Sequence, residues 1–248
     1  MKRFKIWASI TIAVSMVIFI SSCNNGEDKK IDTAAADTTA AKPMEPKMEP
    51  AVVAKPGNFL LITAKVASYR KWLLAYEGDD SVKMANGLTN YVVGRGLGSD
   101  SNTILVALKM ADVAKAKAFT SSALLKEKMK KSGVIGAPSS VNLVESVMMD
   151  TSTNSSTTRV IATHRVKDWE AWKKEFDSHK QVRIDAGLTD RSVGHFVDDT
   201  HMVTLVFAIT DLAKAKAFMA SKDLKDKMAA AGVEGPPTVF YYTVAKKY

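Results

Sequence analysis

The chain has 248 residues, with 46% apolar and 25% charged side chains, which suits one large or two small globular domains. Its formal charge is +9, carried mainly by lysines in two repeated helical stretches; these form a solvated helix face and lack the clustered arginines and aromatics of a nucleic-acid surface, so no nucleic-acid partner is expected. Cys23 is the single cysteine, which excludes an intrachain disulfide and a Cys-based metal site.

Residues 1–22 read as a leader. Lys2, Arg3 and Lys5 form a positive end, and an apolar run from Ile6 to Ile20 follows that is too short for a comfortable membrane span. Ile20-Ser21-Ser22-Cys23 resembles the bacterial lipobox, the alternative being an ordinary secretory signal with an incidental cysteine. The resemblance implies that Cys23 is lipidated and becomes the first residue, leaving a charge of 9 − 3 = +6. Acyl methylenes at roughly 0.8 kcal/mol each then attach the protein to the membrane without a spanning helix. Asn24, where an Asp would favour the inner membrane, places the expected site at the outer membrane of the cell envelope. Residues 23–56 have no hydrophobic period and contain Pro43-Met-Glu-Pro-Lys-Met-Glu-Pro50, the composition of a disordered tether.

The rest of the chain repeats itself. Asp112-Val-Ala-Lys-Ala-Lys-Ala-Phe119 returns as Asp211-Leu-Ala-Lys-Ala-Lys-Ala-Phe218. Tyr69 and Trp72 match Trp169 and Trp172, Val93-Gly94 matches Val193-Gly194, and Gly136-Ala-Pro138 matches Gly235-Pro-Pro237; the offset is 100, then 99 after a hairpin. In the second copy, Val160 to Val166 reads as a strand. A helix capped by Asp168 carries Trp169, Trp172, Phe176 and Arg183 to Gly187. Strands follow over Arg191–Val197 and Met202–Ile209, then the Asp211 helix, a short helix from Ser221, and a last strand over Val239–Val244. The order is that of a ferredoxin-like βαββαβ unit, so the fold class is α+β with repeats at 57–149 and 158–248 joined by a linker at 150–157. Val203, Leu205, Phe207 and Ile209 alternate with Met202, Val206 and Ala208, so both faces of this strand are apolar and both need cover. Helices cover one face. The sheet of the other half, packed sheet to sheet, would cover the second and make an α/β barrel, a pseudo-dimer in one chain, unless each half pairs with another chain.

Val166-Lys-Asp-Trp-Glu-Ala-Trp172, Phe176-Asp-Ser-His179, Gly187-Leu188 and the Ala-Lys-Ala-Phe helix resemble the dimeric α/β-barrel superfamily, in its antibiotic biosynthesis monooxygenase-like branch. The resemblance implies a ligand pocket between the sheet and the helices of one unit, and allows a cofactor-free oxygenase acting on phenolic rings. The haem-degrading members place an iron-ligating His on the second helix; neither half has one there, so no haem or other cofactor is expected.

The four histidines all fall in the second half. His164 is in phase with Val160, Ala162 and Val166; His179 follows Phe176 by three positions; His195 is in phase with Val193; His201 follows a turn. Their first-half counterparts include Ala64, Asp79 and Arg95. The candidate pocket is His164, His179 and His195 with Trp172 and Tyr241 as aromatic wall, imidazole being able to exchange a proton near neutrality. No spacing among them fixes a metal geometry.

Two functions remain open at this stage. One is a lipid-anchored envelope protein binding a small aromatic or apolar molecule, which requires His164 and His179 to share a cavity. The other is a non-enzymatic interaction or structural module, which requires filled halves and histidines bonded to backbone. For the anchor itself, Cys23→Ser is expected to abolish incorporation of a labelled fatty acid and to release the protein from membranes; labelling that persists in the variant would remove the lipoprotein reading.

Overall fold

The structure, a computed structural model, describes residues 53–54, 57–153 and 155–248. The expected leader, Cys23 and most of the expected tether lie outside the described residues. Among those described, no helix is long and apolar enough to cross a membrane.

After a short strand β1 (Val53–Ala54), the first half runs β2 (Gly57–Lys65), α1 (Tyr69–Gly78), α2 (Asp80–Ala85), β3 (Leu88–Gly96), β4 (Thr103–Met110), α3 (Val113–Thr120), α4 (Ala123–Lys131) and β5 (Ser140–Asp150). The second half repeats the order: β6 (Thr158–Val166), α5 (Trp169–Ser178), α6 (Lys180–Asp185), β7 (Leu188–Phe196), β8 (Met202–Ile209), α7 (Leu212–Ala220), α8 (Lys222–Ala230) and β9 (Val233–Lys247). The helix starts follow from side-chain caps. Asp112 and Asp211 accept from the backbone N–H of Lys115 and Lys214, each at 3.0 Å, and Asp168 accepts from Ala171 at 2.7 Å. Each cap is worth about 1 kcal/mol. Ala116 and Ala215 point inward from the repeated helices and are fully buried, while Lys115, Lys117, Lys214 and Lys216 are exposed.

The helix expected from Asp168 to Gly187 is broken. α5 ends at Ser178, His179 takes a non-helical turn, and α6 begins at Lys180. The carbonyl of Phe176 accepts from the backbone N–H of His179 at 3.3 Å and from Nη1 of the buried Arg183 at 2.5 Å. A guanidinium thus occupies an acceptor that a continuing helix would have used. The last strand is longer than the expected Val239–Val244. Val233 and Glu234 pair with Val166 and Arg165, Gly235 to Pro237 bulge outward, and the far end runs on to Lys247 beside β3. The bulge suits two prolines, which have no N–H for the ladder.

The two four-stranded sheets meet as a barrel, and the seams between them are hydrogen-bonded. Each half has the same internal strand order, β5-β2-β4-β3 and β9-β6-β8-β7, and the halves join edge to edge. β3 pairs antiparallel with β9, and β5 with β7, so that eight strands close into a ring, with β1 attached outside it on β5. Closure covers the inner face of every strand and leaves no edge of the ring unpaired. Leu60, Val66, Trp72, Val93, Val106 and Leu108 pack outward under the helices of the first half, and Val160, Val166, Trp172, Val193 and Phe207 do so in the second. Phe59, Leu61, Val144 and Met149 pack inside the barrel, with Tyr91 and Ile161 against them.

Matched glycines mark the two seams. A Cβ on Gly94 would lie 2.3 Å from the Tyr242 ring, and one on Gly194 would lie 2.2 Å from the Glu145 backbone oxygen of the neighbouring strand. A ring can swing aside; a ladder carbonyl cannot without opening the seam. Gly194→Ala should therefore destabilise the barrel by at least about 2 kcal/mol, lowering the thermal midpoint by roughly 4–8 °C. Gly78→Ala, where no atom lies within 4 Å of the new Cβ, serves as control. Equal midpoints for the two variants would show that the seam does not depend on glycine.

Candidate ligand site

Strand alternation on β6 turns Val160, Ala162, His164 and Val166 toward the helices, the first three registered against Phe207, Leu205 and Val203 of β8 and all four buried. His164 is 6% exposed and stands edge-on to the Trp172 ring at 5.5 Å. Neither ring nitrogen of His164 has a hydrogen-bond partner among the described residues, although both are enclosed. Burial alone lowers its pKa from 6.5 to about 4, so the imidazole is neutral at pH 7. An enclosed polar group left unpaired costs about 1–3 kcal/mol, so this one calls for an explanation.

His164 lines a cavity of about 150 Å³ between the sheet and the helices of the second half. Trp172, Phe176, Phe207 and Met219 supply its apolar walls, and His179 and Lys227 also line it. Phe176 stacks on Trp172 at 5.1 Å. Arg183, buried and 3.6 Å above the Phe176 ring, is clamped by Asp190, which accepts from its Nε at 2.8 Å and its Nη2 at 2.6 Å. This fork-to-carboxylate pair braces one wall in a fixed geometry.

Of the residues singled out from the sequence, His164, His179 and Trp172 share this cavity, while His195 and Tyr241 do not line it. His195 is buried edge-on to Trp169 at 4.9 Å, and its Nδ1 lies 3.0 Å from the Phe196 carbonyl oxygen. Tyr241 packs on the second-half core from β9. His201 is exposed, with Nδ1 3.1 Å from the Val166 carbonyl oxygen.

The matching cavity of the first half is about 80 Å³. The difference has a visible cause. In the first half Asp79, at the α1–α2 junction, forms an ion pair with Lys128 on α4 at 2.6 Å and ties the two helices together. In the second half His179 replaces Asp79, and Lys227, the counterpart of Lys128, turns to Asp223 of its own helix at 2.9 Å. The second-half helices lack the latch. Lys227 and the bracing role of Arg183 are not signalled by the histidines; the change from Asp79 and Lys128 to His179 and Lys227 is legible at the repeat offsets.

No family model matches the chain, and no curated protein matches it. Among solved structures, a protein of Fusobacterium nucleatum subsp. nucleatum ATCC 25586, provisionally called a monooxygenase, superposes with a TM-score of 0.50 at 13% identity, covering 78% of this chain and 94% of its own. An anthrone oxidase-like protein superposes with a TM-score of 0.51 at 12% identity, covering 77% and 92%. Likeness at such identity shows the fold, an α+β dimeric α/β barrel, and leaves the chemistry to be argued from the site.

The lowered pKa has a consequence for stability. His164 resists protonation in the folded state, whereas the unfolded chain takes up a proton near pH 6.5. Its contribution is therefore complete above pH 6.5 and is lost as the pH falls toward 4. The barrel should lose about 3 kcal/mol through this residue between pH 7.5 and pH 4. His164→Leu should remove that portion of the pH dependence in urea denaturation; parallel profiles for wild type and variant would show that His164 does not titrate as its burial requires.

Proposed function

We propose that this is a lipid-anchored protein of the cell envelope, held at the outer membrane by Cys23, whose barrel binds a small aromatic molecule bearing a hydroxyl group. We read the barrel as two ferredoxin-like βαββαβ units fused into a pseudo-dimer within one chain, which the shared strand order and the sequence offsets support. The observation that carries the ligand reading is that His164, whose enclosed ring nitrogens have no partner among the described residues, lines a mainly apolar cavity, so that a turn of the ring would present a nitrogen to a bound ligand. A neutral imidazole offers one donor and one acceptor, and a hydroxylated ring can satisfy either while filling the walls. A cavity of about 150 Å³ suits a single six-membered ring, the size at which buried apolar cavities take up benzene.

Binding is favoured over turnover. A base of pKa about 4 is poorly matched to a phenol near 10, and taking its proton would run uphill by about 8 kcal/mol. The oxidase names of proteins with this fold make oxygen uptake the reaction to screen, with His164 as the residue it would depend on. Phenol serves as the first ligand. Calorimetry should show phenol binding to wild type and at least tenfold weaker binding to His164→Leu, with toluene bound by both. No difference between phenol and toluene in wild type would sink the role given to His164. Oxygen consumption with phenol should stay at the buffer rate; uptake that vanishes in His164→Leu would replace the binding reading with an oxygenase. His179→Asp tests the opening: the new carboxylate should recapture Lys227 as Asp79 holds Lys128, and phenol exchange should slow by several fold. Unchanged exchange would show that the missing latch does not set access.

A further inference from the structure

A second cavity, of about 320 Å³, lies inside the barrel, on the opposite face of the same strands. It reaches the surface beside Thr151, Lys247 and Tyr248, which are exposed. Its two sides differ in chemistry. On the first-half side, Phe59 and Tyr91 face it with ring centroids 5.2 Å apart. At the matching positions of the second half stand Arg159 and Arg191. Arg191 is paired: its Nη1 donates to Asp150 at 3.1 Å and its Nη2 to the Ser152 carbonyl at 2.8 Å. Arg159 has no carboxylate among the described residues. It is 4% exposed, and among the described residues only its Nη1 finds partners, donating to the carbonyls of Ser156 at 2.5 Å and Thr158 at 2.9 Å.

The unused edge of Arg159 is the informative part. Nε and Nη2 form the side of a guanidinium that grips a carboxylate with two parallel hydrogen bonds. On Arg183 that same edge holds Asp190 at 2.8 and 2.6 Å. On Arg159 it has no partner among the described residues. Among the described residues only His164 has fully enclosed side-chain nitrogens without partners, and Arg159 lines the cavity, so this edge opens onto it. Burial works against the Arg159 charge, the Tyr242 hydroxyl beside it favours the charge, and Arg191 opposes it. A buried cation short of one anion and facing an aromatic wall is half of a binding site.

We infer that the barrel interior binds a small organic carboxylate with an aromatic body, its carboxylate on the Nε–Nη2 edge of Arg159 and its ring against Phe59 and Tyr91. The site is separate from the His164 cavity and does not depend on the reading given to it. Biphenyl-4-carboxylate is a suitable ligand for the test, with the neutral biphenyl-4-carboxamide as its isostere. Calorimetry on the intact protein should show the carboxylate bound at least tenfold more tightly than the amide. Arg159→Gln should weaken the carboxylate at least tenfold, Arg159→Lys should do so through loss of the fork, and His164→Leu should leave it unchanged. In wild-type protein labelled at methionine methyls, the carboxylate should shift Met149 inside the barrel and leave Met219 and Met228 of the other cavity in place. That measurement holds even if the Arg159 variants do not fold. Equal affinity for acid and amide, no binding of the acid, or shifts confined to Met219 and Met228 would overturn the assignment.

Discussion

The feature on which the rest of the structure depends is the pair of hydrogen-bonded seams, β3 with β9 and β5 with β7. Without them each half would be an open four-stranded sheet with two raw edges and an uncovered apolar face. With them the sheet becomes a wall with an inside and an outside. Alternation then gives each strand two duties. On β6, Arg159 and Ile161 serve the interior while Ala162 and His164 serve the space under the helices. Two chemically distinct compartments share one backbone, and a change in one need not disturb the other.

Four buried or half-buried cations show how the fold pays for charge in its interior. Lys83 meets Asp80 at 2.7 Å, donates to the Tyr76 carbonyl at 2.7 Å and sits 3.5 Å over the Tyr76 ring. Arg183 repeats the arrangement with Asp190 and Phe176. Arg191 has Asp150. Against these, Arg159 stands out by having carbonyl partners only. His164 stands out in the same way beside His195 and His201, which each lie within hydrogen-bonding distance of a backbone carbonyl. Both incomplete groups belong to β6, and their first-half counterparts, Phe59 and Ala64, need no partner at all.

Much of this frame is legible in the sequence because it is written locally and twice. Caps at Asp112, Asp168 and Asp211, the strand from Met202 to Ile209 and the repeat offset all follow from neighbouring residues. The break at His179 was hidden because it depends on Arg183 reaching back to a carbonyl, which periodicity does not encode. The length of β9 was hidden because its last pairs are made with the other half. The interior cavity was hidden for a related reason. A strand apolar on both faces calls for cover, and cover suggests a filled space. Phe59 against Arg159 and Tyr91 against Arg191 are nevertheless readable at the repeat offset. The leader, Cys23 and the anchor it would carry rest on the lipobox pattern and lie outside the described residues.

The seam between β3 and β9 also dictates a timetable. Val92 pairs with Lys247, so this seam joins two strands about 150 residues apart in the chain. The β5–β7 seam joins strands much nearer in sequence and can form earlier. Loop closure grows costlier with separation, and contacts of this range slow folding. Until that seam forms, β3 has one side unpaired, with Gly94 on it. β9 acts as the closing stave of the cask, covering the side of β3 that would otherwise stay bare.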